Sequence, residues 1–354
     1  MHSIDLRRTV LALVAAGALV GLTLFPTASA QAVAQPRVTT TAQWQTALPQ
    51  IANQGDGCYQ ASYPSLRWKA AECVTAPNIP LVPKGTRTSA AHAGPATVGD
   101  GTDYSAVVSG LISRATGTFT NVSSAISEKG ATGGSGSQVA NSFSLQINSQ
   151  FFAGSPACAR SSNPSSCQAW QQFVYTYDSA SSGEIFMQYW LINYNATCPS
   201  GWYSYQADCY TNSAASRVST VTAKQLATVK LTGTAVSGGN DSVSLSVGSG
   251  QAVTVTGKDT KVNLAAAWNT TEWGVYGDGG GSSANFGSNN ALEARTALTS
   301  TSSTAPSCVQ EGYTGETNNL TLTATPALGS AASPTMASAQ TDGTTNTPSC
   351  AVVS

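Results

Sequence analysis

QAWQQFVYTYDSASSGEIFMQYWLINY, Gln168 to Tyr194, is the stretch on which the fold turns. Two runs rich in Phe, Tyr, Trp, Val and Ile flank DSASSG, and aromatic and β-branched residues bounded by Gly, Ser and Asp read as two long strands of a hairpin. Side chains alternate across a strand, so Gln171, Phe173, Tyr175 and Tyr177 share one face, and Trp170, Gln172, Val174 and Thr176 the other. On the second strand Phe186, Gln188, Trp190 and Ile192 fall in line. A carboxamide among large aromatics is costly to bury unpaired, so it is either hydrogen-bonded in a core or aimed into a groove.

Outward from this hairpin the chain reads as β from Tyr104 onward. Candidate strands run Ser105 to Ser113, Ala115 to Val122, Ser142 to Phe152, Ala169 to Tyr177, Ile185 to Tyr194, Ala223 to Val236, Asp241 to Val247, Ala252 to Gly257, Thr271 to Tyr276, Leu292 to Leu298 and Leu320 to Ala324. Gly- and Ser-rich loops such as ATGGSGSQ separate them. Many short strands with no long helix-period stretch indicate an all-β antiparallel sandwich or barrel. VNLAAAW, Val262 to Trp268, is open between a helical turn and a strand end. At 354 residues the chain holds one large β domain with an appendage, or two domains. Only 9% of residues are charged and the net charge is −1, which argues against nucleic acid or an anionic membrane surface as partner.

The amino-terminal quarter has a different character. Arg7 and Arg8 precede an apolar run ending near Phe25, followed by Ala28-Ser29-Ala30, so residues 1–30 read as a secretory signal and the mature protein is expected outside the cell and free of the membrane. Residues 31–95 form a Pro-rich extension, with Pro36, Pro49, Pro64, Pro77, Pro80, Pro83 and Pro95 expected to interrupt regular elements. It ends in the linker KGTRTSAAHAGPATVGDG and is either a removable propeptide or a permanently docked arm. The sandwich is expected over residues 96–354. Eight cysteines fit an oxidising compartment, and their spacing suggests the disulfides Cys58 with Cys73, Cys158 with Cys167, Cys198 with Cys209, and Cys308 with Cys350. None has the spacing of a zinc site, and neither metal nor cofactor is expected.

The chemistry narrows by exclusion. Of two histidines, His2 lies in the signal and His92 in the linker, so Ser-His-Asp, Cys-His and HExxH arrangements lack a well-placed imidazole. All the cysteines can be paired, and no phosphate-cradling Gly motif opens a helix. An enzyme built from this chain must work with carboxyl and carboxamide groups.

Several segments, in one chain order, resemble the fungal glutamic peptidases, the eqolisins. DYSAVVSGLISRATGTFTNVSSA, Asp103 to Ala125, is similar to that family's N-W-A-G-A-V and T-G-x-F-T-V-P strands, with Tyr104 in place of Trp and Asn121-Val122 in place of Val-Pro. AWQQFVYTYD resembles the I-L-Q-T-G-V-D-F strand that carries the family's catalytic glutamine, and Gln171 falls on it. IFMQYWLINY resembles the A-W-Y-E-W-Y-P strand, and also the I-Y-W-T run of the neprosin-type peptidases. TTEWGVYGDGGGSSANFGSNNALEART resembles the segment that carries the catalytic glutamate, which falls on Glu272. FSLQINSQFF departs from the family's A-W-V-G-I-D, and Gln172-Phe173 stand where the family has Thr-Gly.

The resemblance implies a concanavalin-like sandwich and an endopeptidase; with the signal segment it is expected to be secreted, and with no imidazole taking part it is expected to work in the acid range. Glu272 is then the base that activates water and the acid that protonates the leaving amine, and the Gln171 amide is the oxyanion donor. Tyr175, Gln188 and Trp190 are the candidate substrate contacts on the hairpin. The substrate is then a polypeptide. A second reading remains open, a lectin-like sandwich that binds glycan or cell-wall material through exposed aromatics. A carboxylate-pair glycosidase lacks two acids on facing strands.

Overall fold

A computed structural model of the chain describes residues 38–51, 55–85, 97–248, 250–303, 306–322 and 335–341. The expected signal peptide, most of the linker with His92, and Cys350 lie outside these. Fourteen strands frame the argument: β1 Gly57–Ser62, β2 Tyr104–Val107, β3 Ile112–Thr120, β4 Phe143–Ser149, β5 Gln168–Tyr177, β6 Gly183–Ile192, β7 Asp208–Asn212, β8 Val229–Thr234, β9 Asn240–Val247, β10 Gln251–Lys258, β11 Thr270–Gly277, β12 Ala291–Ser300, β13 Ser307–Gln310 and β14 Thr317–Leu322.

They make an all-β sandwich. A ten-stranded sheet runs β7-β6-β5-β4-β11-β2-β13 through its centre, with Tyr203–Tyr205 beyond β7 and Ala214–Val218 also paired to β6. The thirteen-stranded sheet has β1-β10-β9-β8-β3-β12 as its central run and continues through Thr335–Thr341 to β14. Within these central runs all neighbours are antiparallel. The layer between the sheets is rich in aromatic rings: Trp273 of β11 packs on Phe119 of β3 at 4.8 Å between ring centroids, and Phe173 of β5 on Trp268 at 5.4 Å. Glycines of the thirteen-stranded sheet make room for these rings. A Cβ at Gly117 would lie 2.2 Å from Trp273, and one at Gly233 2.4 Å from Phe173.

The hairpin forms as its sequence suggests, with Gln168 to Tyr177 in unbroken register against Ile192 to Gly183. Two expectations change, and one open choice is decided. Ser105 to Ser113 is not one strand: the chain leaves the ten-stranded sheet after Val107 and enters the other at Ile112. Ala223 to Thr228 is a 3-10 helix, started by a capping box between Thr222 and Gln225, and only Val229–Thr234 is strand. Val262 to Trp268 resolves into a short 3-10 turn, Leu264–Ala266.

The extension is also more regular than its prolines suggested. Thr41–Ala47 is a helix whose Trp44 is fully buried, β1 pairs with β10, and Val74–Thr75 pairs with Ala214–Val218. Its described prolines, Pro49, Pro64, Pro77, Pro80 and Pro83, fall between these elements, so none interrupts their ladders. Cys58–Cys73, Cys158–Cys167 and Cys198–Cys209 are disulfides, as their spacing suggested. No helix among the described residues is long and apolar enough to cross a membrane.

Candidate active site

Register carries five polar side chains into one row across the ten-stranded sheet. Glu272 on β11 lies opposite Asn148 on β4, Asn148 opposite Gln172 on β5, Gln172 opposite Gln188 on β6, and Gln188 opposite Asn212 on β7. Residues directly opposite share a face. Their immediate chain neighbours Trp273, Ile147, Phe173 and Met187 point the other way, into the layer between the sheets. The polar row therefore occupies the face turned away from the second sheet.

The expected pair is not brought together. Gln171 belongs to the inner face, where its Nε2 donates to Asp241 Oδ2 on β9 at 2.9 Å, a buried link between the two sheets. Burial and the charge of Asp259 push Asp241 up to about 7, against the hydrogen bonds from Gln171 and Val236. Tyr175 is on that inner face too, buried, its hydroxyl accepting from Val221 N–H at 2.8 Å, and so is turned away from the polar row. Glu272, Gln188 and Trp190 are on the outer face. The glutamine that joins them is Gln172, one residue on, and a one-residue step along a strand reverses the face.

Hydrogen bonds fix how these amides point. Indole N–H only donates, and Trp190 Nε1 lies 3.1 Å from Gln172 Oε1 and 3.0 Å from Gln188 Oε1. Gln172 Nε2 is thereby turned toward β4, where it donates to Gln146 Oε1 at 3.1 Å. Asn148 Nδ2 donates to that same oxygen at 3.2 Å and to Glu272 Oε2 at 2.9 Å. The row is a continuous relay of amides ending on one carboxyl. Two strand spacings separate the backbones of Gln172 and Glu272, ~10 Å, so their side chains flank a gap that the amides of Gln146 and Asn148 now fill.

Two segments cover this face. Residues 76–85 of the extension cross it as a strap: Leu81 N–H donates to Gln188 Oε1 at 2.7 Å, Gln188 Nε2 to Ile79 O at 3.1 Å, and Asn212 Nδ2 to Pro77 O at 2.9 Å. Leu81 packs with Val174 and Phe186, and Val82 with Trp170, Trp190 and Tyr313. The second cover is the loop of residues 311–316. Tyr313 N–H and Thr314 N–H both donate to Glu272 Oε2, at 2.9 and 3.2 Å. The strap zips to this loop through Gly315 N–H to Val82 O at 2.7 Å and Lys84 N–H to Tyr313 O at 2.8 Å. Glu316 Oε1 ties both, accepting from Val82 N–H at 2.9 Å and Gly281 N–H at 3.0 Å. Burial holds the Glu316 carboxyl up at about 7, and those donors with the Thr314 hydroxyl act against it.

No protein-family model matches this chain, and no curated protein matches it. Among solved structures, one of scytalido-glutamic peptidase with a peptide-based transition-state analogue matches with a TM-score of 0.30 and 12% identity, covering 67% of this chain and 97% of that one. At that similarity the likeness carries no weight for the site or its chemistry.

Sequence reasoning missed Gln172, Asn148, the strap and the covering loop. A signal for Gln172 was present: it shares strand parity with Trp170, and the hairpin places it beside Gln188 and Trp190. Nothing local marked the strap. Among the described residues no three His, Cys, Asp or Glu side chains gather in the manner of a metal site.

Proposed function

We propose that this protein is an exported peptidase of the glutamic type, held latent by its own residues 76–85. One observation carries the reading: a length of polypeptide already lies across the polar row, gripped by Asn212 and Gln188 through its backbone at Pro77, Ile79 and Leu81. A groove that binds main-chain amides in this way is suited to a peptide rather than a sugar. While the strap is in place Trp170 and Trp190 are fully buried beneath Val82 and Tyr313.

Glu272 and Gln172 are the working pair in this reading. Glu272 takes a proton from water, and the water oxygen bonds to the scissile carbonyl carbon. The carbonyl oxygen, now anionic, accepts from Gln172 Nε2. Glu272 then returns its proton to the amide nitrogen as the C–N bond breaks, giving a free acid and amine. A single carboxyl serving as base and then acid, with no imidazole beside it, assigns the working range to acid pH. With the strap in place Glu272 Oε2 holds three N–H donors and has no room for water. Release of the strap frees the loop zipped to it, and with it that oxygen.

The test is to place a site-specific protease sequence between Gly85 and Thr97, cut it, and follow digestion of a denatured protein across about pH 2 to 8, which brackets the carboxyl titrations. A second substitution, Val82→Asp, drives the strap off after the cut. Cleavage that appears on release and vanishes in Glu272→Gln and falls in Gln172→Ala supports the reading. A released protein that cleaves nothing, or three equally active proteins, ends it.

A further inference from the structure

Glu272 has a second oxygen whose surroundings are not explained by the amide relay. Oε2 accepts from Asn148 Nδ2, Tyr313 N–H and Thr314 N–H. Oε1 is buried and has no N–H or hydroxyl donor. Asp103 presents the same deficit, its Oδ2 buried and without a donor, in a side chain only 2% exposed. Ser105 pairs directly with Glu272, so Asp103, two residues earlier, lies toward the same side. The two carboxyl groups act on each other at close range, and the Tyr276 hydroxyl lies beside both. Gly312 closes over both, since a Cβ there would lie 2.8 Å from Glu272 Oε1 and 3.2 Å from Asp103 Cβ.

Two ionised carboxylates this close repel, and the single Tyr276 hydroxyl beside them can donate to only one, leaving the other unsatisfied. One proton between them satisfies both. The three donors on Oε2 mark Glu272 as the ionised member, which leaves the proton on Asp103. We propose that Asp103 is a positioning residue for Glu272, its carboxylic acid donating to Glu272 Oε1 and holding the carboxylate in line with the amide row. The proposal deepens the peptidase reading and rests on it for its catalytic meaning. When the loop lifts from Oε2, that oxygen becomes the base, while Oε1 stays tethered.

The environment agrees with the proton's place. Burial, then the charge of Glu272, push the Asp103 carboxyl well above its ordinary range, and the Tyr276 hydroxyl and Gly99 backbone act against them. The groups facing the pair are Tyr276 from β11 and, on the loop side, Tyr313 with Glu311 beside it. No cation acts on Asp103. A carboxyl raised in the folded state binds a proton that the unfolded chain has lost, so its contribution to stability is full below about pH 4 and is lost as pH rises through the folded value.

The test compares urea unfolding of the full chain with that of Asp103→Asn between about pH 4 and 8, the window opened by the unfolded carboxyl. Other buried acids titrate in both proteins and cancel in the difference. The asparagine amide can donate to Glu272 Oε1 without a titrating proton, so the variant's stability is expected to fall less steeply, by up to about one proton. Glu272→Gln, whose amide can donate to an ionised Asp103, is expected to lose the same slope and serves if Asp103→Asn folds poorly. In the strap-released protein, Asp103→Asn is expected to keep activity at low pH and to extend it upward, whereas Asp103→Leu loses it throughout. Parallel unfolding slopes in wild type and both amide variants overturn the proposal, even if the released protein cleaves peptides. A difference in slope with no proteolysis upholds the carboxyl pair and sinks only the peptidase reading.

Discussion

Gln172 and Glu272 stand directly opposite the same residue, Asn148, one on each side of it. Both therefore face away from the second sheet, whereas Gln171 faces into it. This separates the two glutamines in every measurable respect. Removal of an oxyanion donor is worth ~3–4 kcal/mol. Gln172→Ala should lower turnover of the strap-released protein by about a hundredfold or more, read from initial rates at fixed pH.

Gln171→Ala should do the reverse. It leaves Asp241 Oδ2 without its amide donor in a buried layer, at a cost of about 1–3 kcal/mol. Denaturant midpoints should fall while the rate per folded molecule holds. A lost rate at unchanged stability would return the catalytic role to Gln171.

The strap is anchored by one apolar side chain as much as by its backbone. Val82 is 1% exposed among Trp170, Trp190 and Tyr313. Val82→Asp puts an unpaired charge there, which the site can relieve only by releasing the segment. Amide exchange at Leu81, Lys84 and Gly315 should accelerate, and tryptophan emission should shift to the red. If those three amides stay protected, the strap is a fixed part of the fold.

Stability should be higher at pH 5 than at pH 8. Asp241, Asp278 and Glu316 are each raised by burial to about 7. Raised acids hold protons in the folded state that the unfolded chain sheds near pH 4, so stability declines as pH climbs from there through 7. The combined loss is on the order of a few kcal/mol, and urea midpoints across this range measure it. A midpoint that rises with pH would contradict the burial of these groups.

Gly312→Ala should loosen the covering loop. Its methyl group would meet Glu272 Oε1 and Asp103 Cβ at less than ordinary contact distance, a clash worth about 1–3 kcal/mol. The expected result is a lower denaturation temperature together with faster exchange at the Tyr313 and Thr314 amides. Unchanged exchange there would mean that the loop does not depend on close approach to the carboxyl pair.

Much of this molecule was present in the order of its residues. Aromatic and β-branched runs fixed the hairpin and its neighbours, alternation sorted Trp170, Gln172 and Val174 from Gln171, Phe173 and Tyr175, and cysteine proximity matched the three described disulfides. Alternation, however, says which residues share a face and not which face is sandwiched. On β5 and β6 both faces are buried, one by the other sheet and one by the strap and loop, so no hydrophilic side betrays the outside. The choice between Gln171 and Gln172 lay in the packing of Phe173 and Trp273 against Gly233 and Gly117. Long-range closure likewise set Asp103 against Glu272 and residues 76–85 across Gln188. Those contacts join segments far apart in the chain, and only the folded backbone brings them within hydrogen-bond reach.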